Sequence, residues 1–160
     1  MRTRSLVISA PSIVALLLGL AAIAFAADPF IGTWKLDVAK CKSSDPSLIN
    51  KSETLQNLSQ GNSIKTIFDG VDSQGKPFHI EGIGKWDGKE YLQAGDPNAD
   101  RVAITKVDAN IVEVVAKKAG KIMSTYRTTV SKDGKTMTIE GKGKDAKGQE
   151  WNYTFILDKL

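Results

Sequence analysis

Cysteine is almost missing from this sequence: Cys41 is the only one among 160 residues. No internal disulfide can staple the chain, so its core has to hold it together. Histidine is equally scarce. With His79 alone and no paired cysteines, no zinc site can be assembled without help from carboxylates. Asp69, Asp72, Asp96 and Asp100 lack the ligand spacing and terminal Glu of a calcium loop and are ordinary turn formers. No metal and no cofactor is expected. Basic clustering is missing as well. Lys117, Lys118 and Lys121 are interspersed with acids and carry no aromatic interleaving, which excludes a phosphate-tracking surface and hence nucleic acid as a partner.

Long apolar runs are absent too, except at the start. Arg2 and Arg4 precede an uncharged stretch from Leu6 to Phe25, ending in Ala24-Phe25-Ala26 before Ala27, the layout of a secretory signal peptide cleaved after Ala26. A retained membrane anchor is the alternative, since the run is nearly long enough to span a bilayer. No cysteine stands at the cleavage site for lipid attachment, and Thr3 splits the arginine pair that a twin-arginine signal requires. Cleavage removes Arg2 and Arg4, so the formal charge of +4 falls to +2. The expectation is therefore a leader, 1–26, and a single domain, 27–160, of a size that buries roughly two-thirds of its unfolded surface. No stable membrane insertion is expected after cleavage.

What fills 27–160 is a succession of short alternating runs rich in Val, Ile, Thr, Tyr and Phe, divided by turn formers such as Asp87-Gly88, Ala119-Gly120 and Asp133-Gly134. The alternation places strands near 30–37, 51–58, 63–70, 77–86, 89–94, 101–107, 111–117, 121–131, 135–142 and 149–158, each antiparallel to the next. Only 38–50 interrupts the meander, and with Pro46 inside it this stretch holds a short helical segment at most. In the last strand Trp151, Tyr153, Phe155 and Leu157 share a face. Phe78, Ile80 and Trp86 share another, broken by Gly82 and Gly84, whose spacing of two marks a bend of the kind a closing sheet needs. A flat sheet of eight to ten strands would leave two exposed edges, which closure into a barrel removes. The fold expectation is all-β, an antiparallel up-and-down barrel.

The segment Pro29-Phe30-Ile31-Gly32-Thr33-Trp34-Lys35-Leu36 resembles the first strand of the calycin superfamily, the lipocalins and fatty-acid-binding proteins, which open with Gly-x-Trp. Gly32 lets the backbone approach closely while Trp34 plugs one barrel end. The chain as a whole looks like small exported bacterial lipocalin-like proteins. The resemblance is carried by Asp69-Gly70-Val71-Asp72 with Gly75-Lys76-Pro77, by Asp96-Pro97-Asn98-Ala99-Asp100, by the Ser131–Thr138 turn and by Asp145-Ala146-Lys147-Gly148-Gln149. It implies a periplasmic or secreted location and brings a fold without a task. Fatty-acid-binding proteins hold a ligand carboxylate with Arg-x-Tyr on the last strand. The corresponding stretch here is Trp151-Asn152-Tyr153, which keeps only the tyrosine. Residues 38–50 are also too few for those proteins' helical lid, and the second lipocalin motif has no counterpart.

The functional expectation is a carrier of a small apolar or amphipathic ligand inside the barrel, with Trp34, Phe78, Trp86, Tyr126, Met137, Tyr153 and Phe155 as lining residues. Arg127 would anchor a head group if it points inward or stack on Trp34. If instead Met123, Thr125, Arg127 and Thr129 form the outer face, then Ser124, Tyr126 and Val130 face in. The alternative is a module binding an envelope protein or glycan through loops 38–50 and 95–100, which an interior with no cavity of roughly 300 Å³ would favour. A third reading makes His79 and Glu81, two apart on one strand, the base of a small hydrolase or isomerase. No nucleophile stands at a recognisable elbow to support it.

Overall fold

The computed structural model describes residues 28–144 and 148–160, so the expected leader and the centre of the expected 145–148 turn lie outside the described residues. Alternation becomes eleven strands: β1 Gly32–Leu36, β2 Lys42–Ser43, β3 Ser52–Gln60, β4 Ser63–Val71, β5 Pro77–Gly84, β6 Asp87–Ala94, β7 Arg101–Asp108, β8 Ile111–Lys118, β9 Lys121–Val130, β10 Thr136–Lys144 and β11 Glu150–Lys159. From β3 onward each strand pairs antiparallel with the next; β1 pairs with β3 on one side and with β11 on the other. Ten strands therefore close into an antiparallel barrel, and no long edge is left to attract another chain.

The eleventh strand was not legible as one. β2 follows β1 along the same side of β11, which pairs with Leu36 through Leu157 and with Ser43 through Tyr153. The helical expectation for 38–50 reduces to two single 3-10 turns, Val38–Lys40 and Pro46–Leu48. Pro46 supplies a preset φ at the start of the second, and Asp45 Oδ1 accepts from the Ser47 amide at 2.9 Å, satisfying a donor that the turn leaves open. The β8–β9 loop is one of several two-residue connections. Its two central residues, Ala119 and Gly120, both adopt positive φ, +48° and +77°, the geometry that matches strand twist in a two-residue hairpin.

Period-two alternation sends Trp34, Leu36, Leu55, Val112, Val114, Val130, Met137, Ile139, Phe155 and Leu157 inward, where they form one buried cluster with Phe30. One barrel end, the base, is shut by Phe30, Trp34, Met137 and Leu157. Trp34 has no exposed surface, and its indole Nε1 donates to the Phe30 carbonyl at 3.0 Å. Asn57 Nδ2 donates to the same carbonyl at 3.2 Å, and its Oδ1 accepts from the Thr66 hydroxyl at 2.9 Å. Buried polar atoms at the base are thus satisfied. The cation over Trp34 is Lys159, 4.8 Å from the ring centroid, in the place the sequence offered to Arg127.

Candidate functional site

Most neighbouring strands are laced along their whole length. The exception is β5 with β6, which pair only at Glu81↔Ala94 and Gly82↔Gln93. Below that point the chain crosses over: the Trp86 carbonyl accepts from the Lys106 amide on β7 at 3.4 Å, and Asp87 pairs with Thr105. A lateral window is left between Ile83–Lys85 and Glu90–Leu92. Gly82 and Gly84, facing inward opposite Thr66 and Ile64, put no side chain into it; the Tyr91 ring packs over Gly84, and Ile83 and Leu92 form an exposed apolar rim.

Behind the window lies a cavity of about 70 Å³. Its walls are mainly apolar, built from Phe68, Ile80, Ile104, Val112, Val114 and Ile139, with Asn57, Thr66, Tyr126 and Thr128 as polar contributors from the inner face and Glu81, Lys85 and Gln93 at the β5–β6 side. Of the residues expected to line the interior, Trp86, Tyr126 and Met137 border this cavity. Trp34 and Phe155 face inward but are consumed by the core. Phe78 sits higher on β5, opposite Gly70. Phe30, Phe68 and Asn57 escaped the sequence reading, whereas Ile80 was placed on one face with Phe78 and Trp86 and borders the cavity; the alternation of β4 held the signal for Phe68.

Arg127 must be corrected. Register pairs it with Glu113 on β8 and Glu140 on β10, and alternation turns all three outward. Its guanidinium meets Glu113 Oε1 at 2.5 Å on the exposed surface, so it neither anchors a ligand in the cavity nor touches Trp34. His79 and Glu81 are outward too. His79 Nδ1 lies 2.6 Å from Asp69 Oδ1 and its Nε2 lies 3.9 Å from Glu81 Oε2, while Lys65 holds Glu81 at 2.7 Å. These groups form a solvated ion cluster on the outer face, and although Glu81 borders the cavity, its carboxylate is held outside by Lys65.

Above the cavity the interior turns polar. Glu53, on the inner face of β3, is only 8% exposed. Its Oε2 accepts from Asn50 Nδ2 at 2.6 Å. Burial pushes its carboxyl above the usual carboxylate range, and the Asn50 bond offsets part of that. Tyr126 and Tyr153 flank Gly141 in the β9–β10–β11 register. A side chain at Gly141 would overlap the Tyr153 ring and crowd its hydroxyl, so the glycine is what lets Tyr153 lean toward Tyr126. Tyr153 also stacks on Phe155, with ring centroids 4.2 Å apart, and on Trp151 at 5.6 Å. Both phenols are pushed well above their ordinary range: Tyr126 by burial, then by the charges of Asp96 and Glu53, and Tyr153 by burial, then by Tyr126, Glu53 and Asp96.

No family model matches the chain, and no curated protein does. Among solved structures it is similar to the zebrafish ileal bile acid-binding protein complexed with cholic acid, at 10% identity over 82% of this chain and 99% of that one, TM-score 0.48. It is also similar to bovine odorant-binding protein with its natural ligand, at 14% identity over 84% and 74% of the two chains, TM-score 0.41. Lobster apocrustacyanin A1 matches at 12% identity over 82% and 61%, TM-score 0.44. The neighbours are barrels of the lipocalin and fatty-acid-binding type. By its own strand pairing, this chain is a closed antiparallel barrel of the calycin-like kind.

Proposed function

We propose that the protein is an exported carrier that binds one small, largely apolar molecule inside its barrel. The observation that carries this reading is the apolar cavity reached through the β5–β6 window, where pairing lapses and two glycines leave the wall thin. Removing apolar ligand surface from water at such a wall supplies the driving force, about 25 cal/mol for each Å² buried. At about 70 Å³ the cavity is well below the roughly 300–1,000 Å³ of sites that engulf a drug-sized ligand. It fits a slender apolar end, with the rest of the molecule lying in the window against Tyr91 and Leu92. Export rests on the leader at 1–26.

The same small volume supports a second reading, in which the barrel is a scaffold and a partner binds at the end opposite the base. That end carries loops 38–50 and 95–100 and an open hollow of about 500 Å³ between Ile122, Lys142 and Trp151. Native mass spectrometry of the exported chain, purified without detergent, separates the two. A stoichiometric apolar or amphipathic molecule, released on denaturation and absent from Val114→Phe, supports the carrier. A bare mass under several growth conditions, with no uptake from offered extracts, rejects it in favour of the scaffold.

A further inference from the structure

We propose that the ligand of this cavity carries a positively charged head, an alkyl- or arylammonium group, with Glu53 as its counter-ion and the Tyr126 and Tyr153 phenols as its frame. The proposal rests on the carrier reading and specifies its ligand class.

The first support is the sign of the interior. Among the described residues, no lysine or arginine pairs with the inward acid Glu53. Arg127 is spent on Glu113 outside. Lys106 and Lys159 are held at the base, the former by Asp28 and the latter by the Pro29 carbonyl. Lys85 is exposed at the window rim. The inward acid, by contrast, is deeply buried. Asp96, from the β6–β7 loop, adds a second negative charge within electrostatic range of both phenols, oriented by Gln93 Nε2 at 2.9 Å and the Asn98 amide at 2.7 Å. A carboxylate ligand would meet uncompensated like charge in a low-dielectric interior. An ammonium would meet a partner.

The second support is unused bonding capacity. Glu53 accepts one hydrogen bond, from Asn50, and its Oε1 has no partner among the described residues. Neither phenol hydroxyl has a side-chain or backbone partner among them. No buried side-chain nitrogen or oxygen lacks a partner among the described residues, so these free oxygens reach solvent inside the barrel, and an ammonium arriving there brings three donors to a carboxylate oxygen and two phenol oxygens. The Tyr126 ring adds to this, because an aromatic face attracts a cation through its quadrupole, whereas Tyr153, stacked against Phe155 and Trp151, offers its hydroxyl. Tyr126 connects the two halves of the site, since it borders the apolar cavity below and shares the field of Glu53 above. A ligand with its tail behind the window would therefore point its head at these three groups.

The titratable groups around Glu53 are Cys41 from the 37–51 connection, Tyr126, Tyr153 and Asp96; Gly70 on β4 and Phe78 on β5 do not ionise. Because burial holds Glu53 partly protonated above the ordinary carboxylate range, ammonium binding must expel that proton. Amine affinity should accordingly rise with pH through and above that range.

The test uses the exported chain and three probes with one tail: hexylamine, hexanol and hexanoate, followed by amide NMR shifts at Gly82, Gly84 and Tyr126. The expected result at neutral pH is amine binding at least about tenfold tighter than the alcohol, as one charge-assisted bond in a dry site supplies, with hexanoate weakest. Glu53→Gln should bring the amine down to the alcohol's affinity and abolish its pH dependence. Unchanged hexanol binding in that variant shows that the cavity is intact. Hexanol or hexanoate matching the amine, or an amine preference that survives Glu53→Gln, overturns the cationic-head assignment while leaving the carrier reading standing. Binding of none of the three overturns both.

Discussion

The two sides of this barrel follow one alternating pattern and differ in what it points inward. On the side made by β8 to β11, β1 and β3, every strand contributes at least one buried apolar residue, from Val112 and Val114 through Val130, Met137 and Leu157 to Trp34 and Leu55. On the side made by β4 to β7, no residue is fully buried. There the inward positions include Gly70, Gly82 and Gly84, and the β5–β6 ladder lapses after two pairs. The contrast separates two jobs that a barrel wall can have. The dense side supplies the close-packed core that a chain without disulfides needs. The sparse side leaves room, and the cavity lies against it.

The sharpest way to break this comparison is to make truncations on the two sides. Trp34→Ala should cost about 3–5 kcal/mol, since it empties a fully enclosed volume at the base and removes one of the two hydrogen bonds to the Phe30 carbonyl. Ile80→Ala, on a half-buried residue that already borders a cavity, should cost about 2 kcal/mol or less. Urea denaturation of both, at unchanged m-value, measures the difference. Equal losses would mean that the β4–β7 side is as tightly packed as the other.

Enlargement sharpens the same contrast from the opposite direction. Val130 and Val114 are both buried valines on the inner face, but only Val114 borders the cavity. Val130→Phe should overpack and destabilise by about 1–3 kcal/mol. Val114→Phe should grow into open space, cost under about 1 kcal/mol, and remove ligand binding. Thermal unfolding of both variants, with probe titration of the second, reads the two effects. Loss of stability without loss of binding in Val114→Phe would move the site elsewhere.

How much of this could be read before the structure depends on what alternation encodes. Period two tells which residues share a face but not which face is in. On the last strand the answer was visible, because Trp151, Tyr153, Phe155 and Leu157 are all large and apolar or aromatic. On β9 both sets mix Thr, Met, Tyr and Val, so the direction of Arg127 is settled only by its register against Glu113. Closure was legible as a requirement of too many strands with two edges, whereas the β5–β6 window was not. Trp86 looked like the end of a strand, although it belongs to the crossing toward β7. Glu53 was hidden for a similar reason: in Ser52-Glu53-Thr54-Leu55-Gln56-Asn57 both faces carry polar residues, and an acid reads as solvent-facing until the loops above it are placed.

Burial of Glu53 gives a smaller effect with a definite sign. Its folded carboxyl is raised above its ordinary value near 4.5, so between the two values the native state binds more protons than the unfolded one, and stability falls as pH rises. This contribution is fully present below the ordinary Glu range and is lost as pH climbs through the raised value. Glu53→Gln removes the ionisation while keeping an acceptor for Asn50. The variant should therefore gain stability relative to the parent as pH increases through that window, and denaturation midpoints at a series of pH values record it. A constant gap between the two proteins would place Glu53 in contact with water.

The smallest expected effect tests the outer surface of the dense side. Arg127 and Glu113 meet at 2.5 Å, but their side chains are 48% and 52% exposed, so solvent and salt screen the pair, and such surface bridges contribute about 0–1 kcal/mol. Arg127→Ala should therefore change stability by less than about 1 kcal/mol, lose even that at high salt, and leave probe binding untouched. The two readouts together are decisive, because the interior role once open to Arg127 makes the opposite forecast. An inward arginine holding a head group would, when truncated, cost affinity whatever the salt, and would reverse the preference of the cavity between amine and carboxylate probes. Weaker hexanoate binding in Arg127→Ala at unchanged stability would thus return the arginine to the interior, and with it the expectation of an anionic ligand.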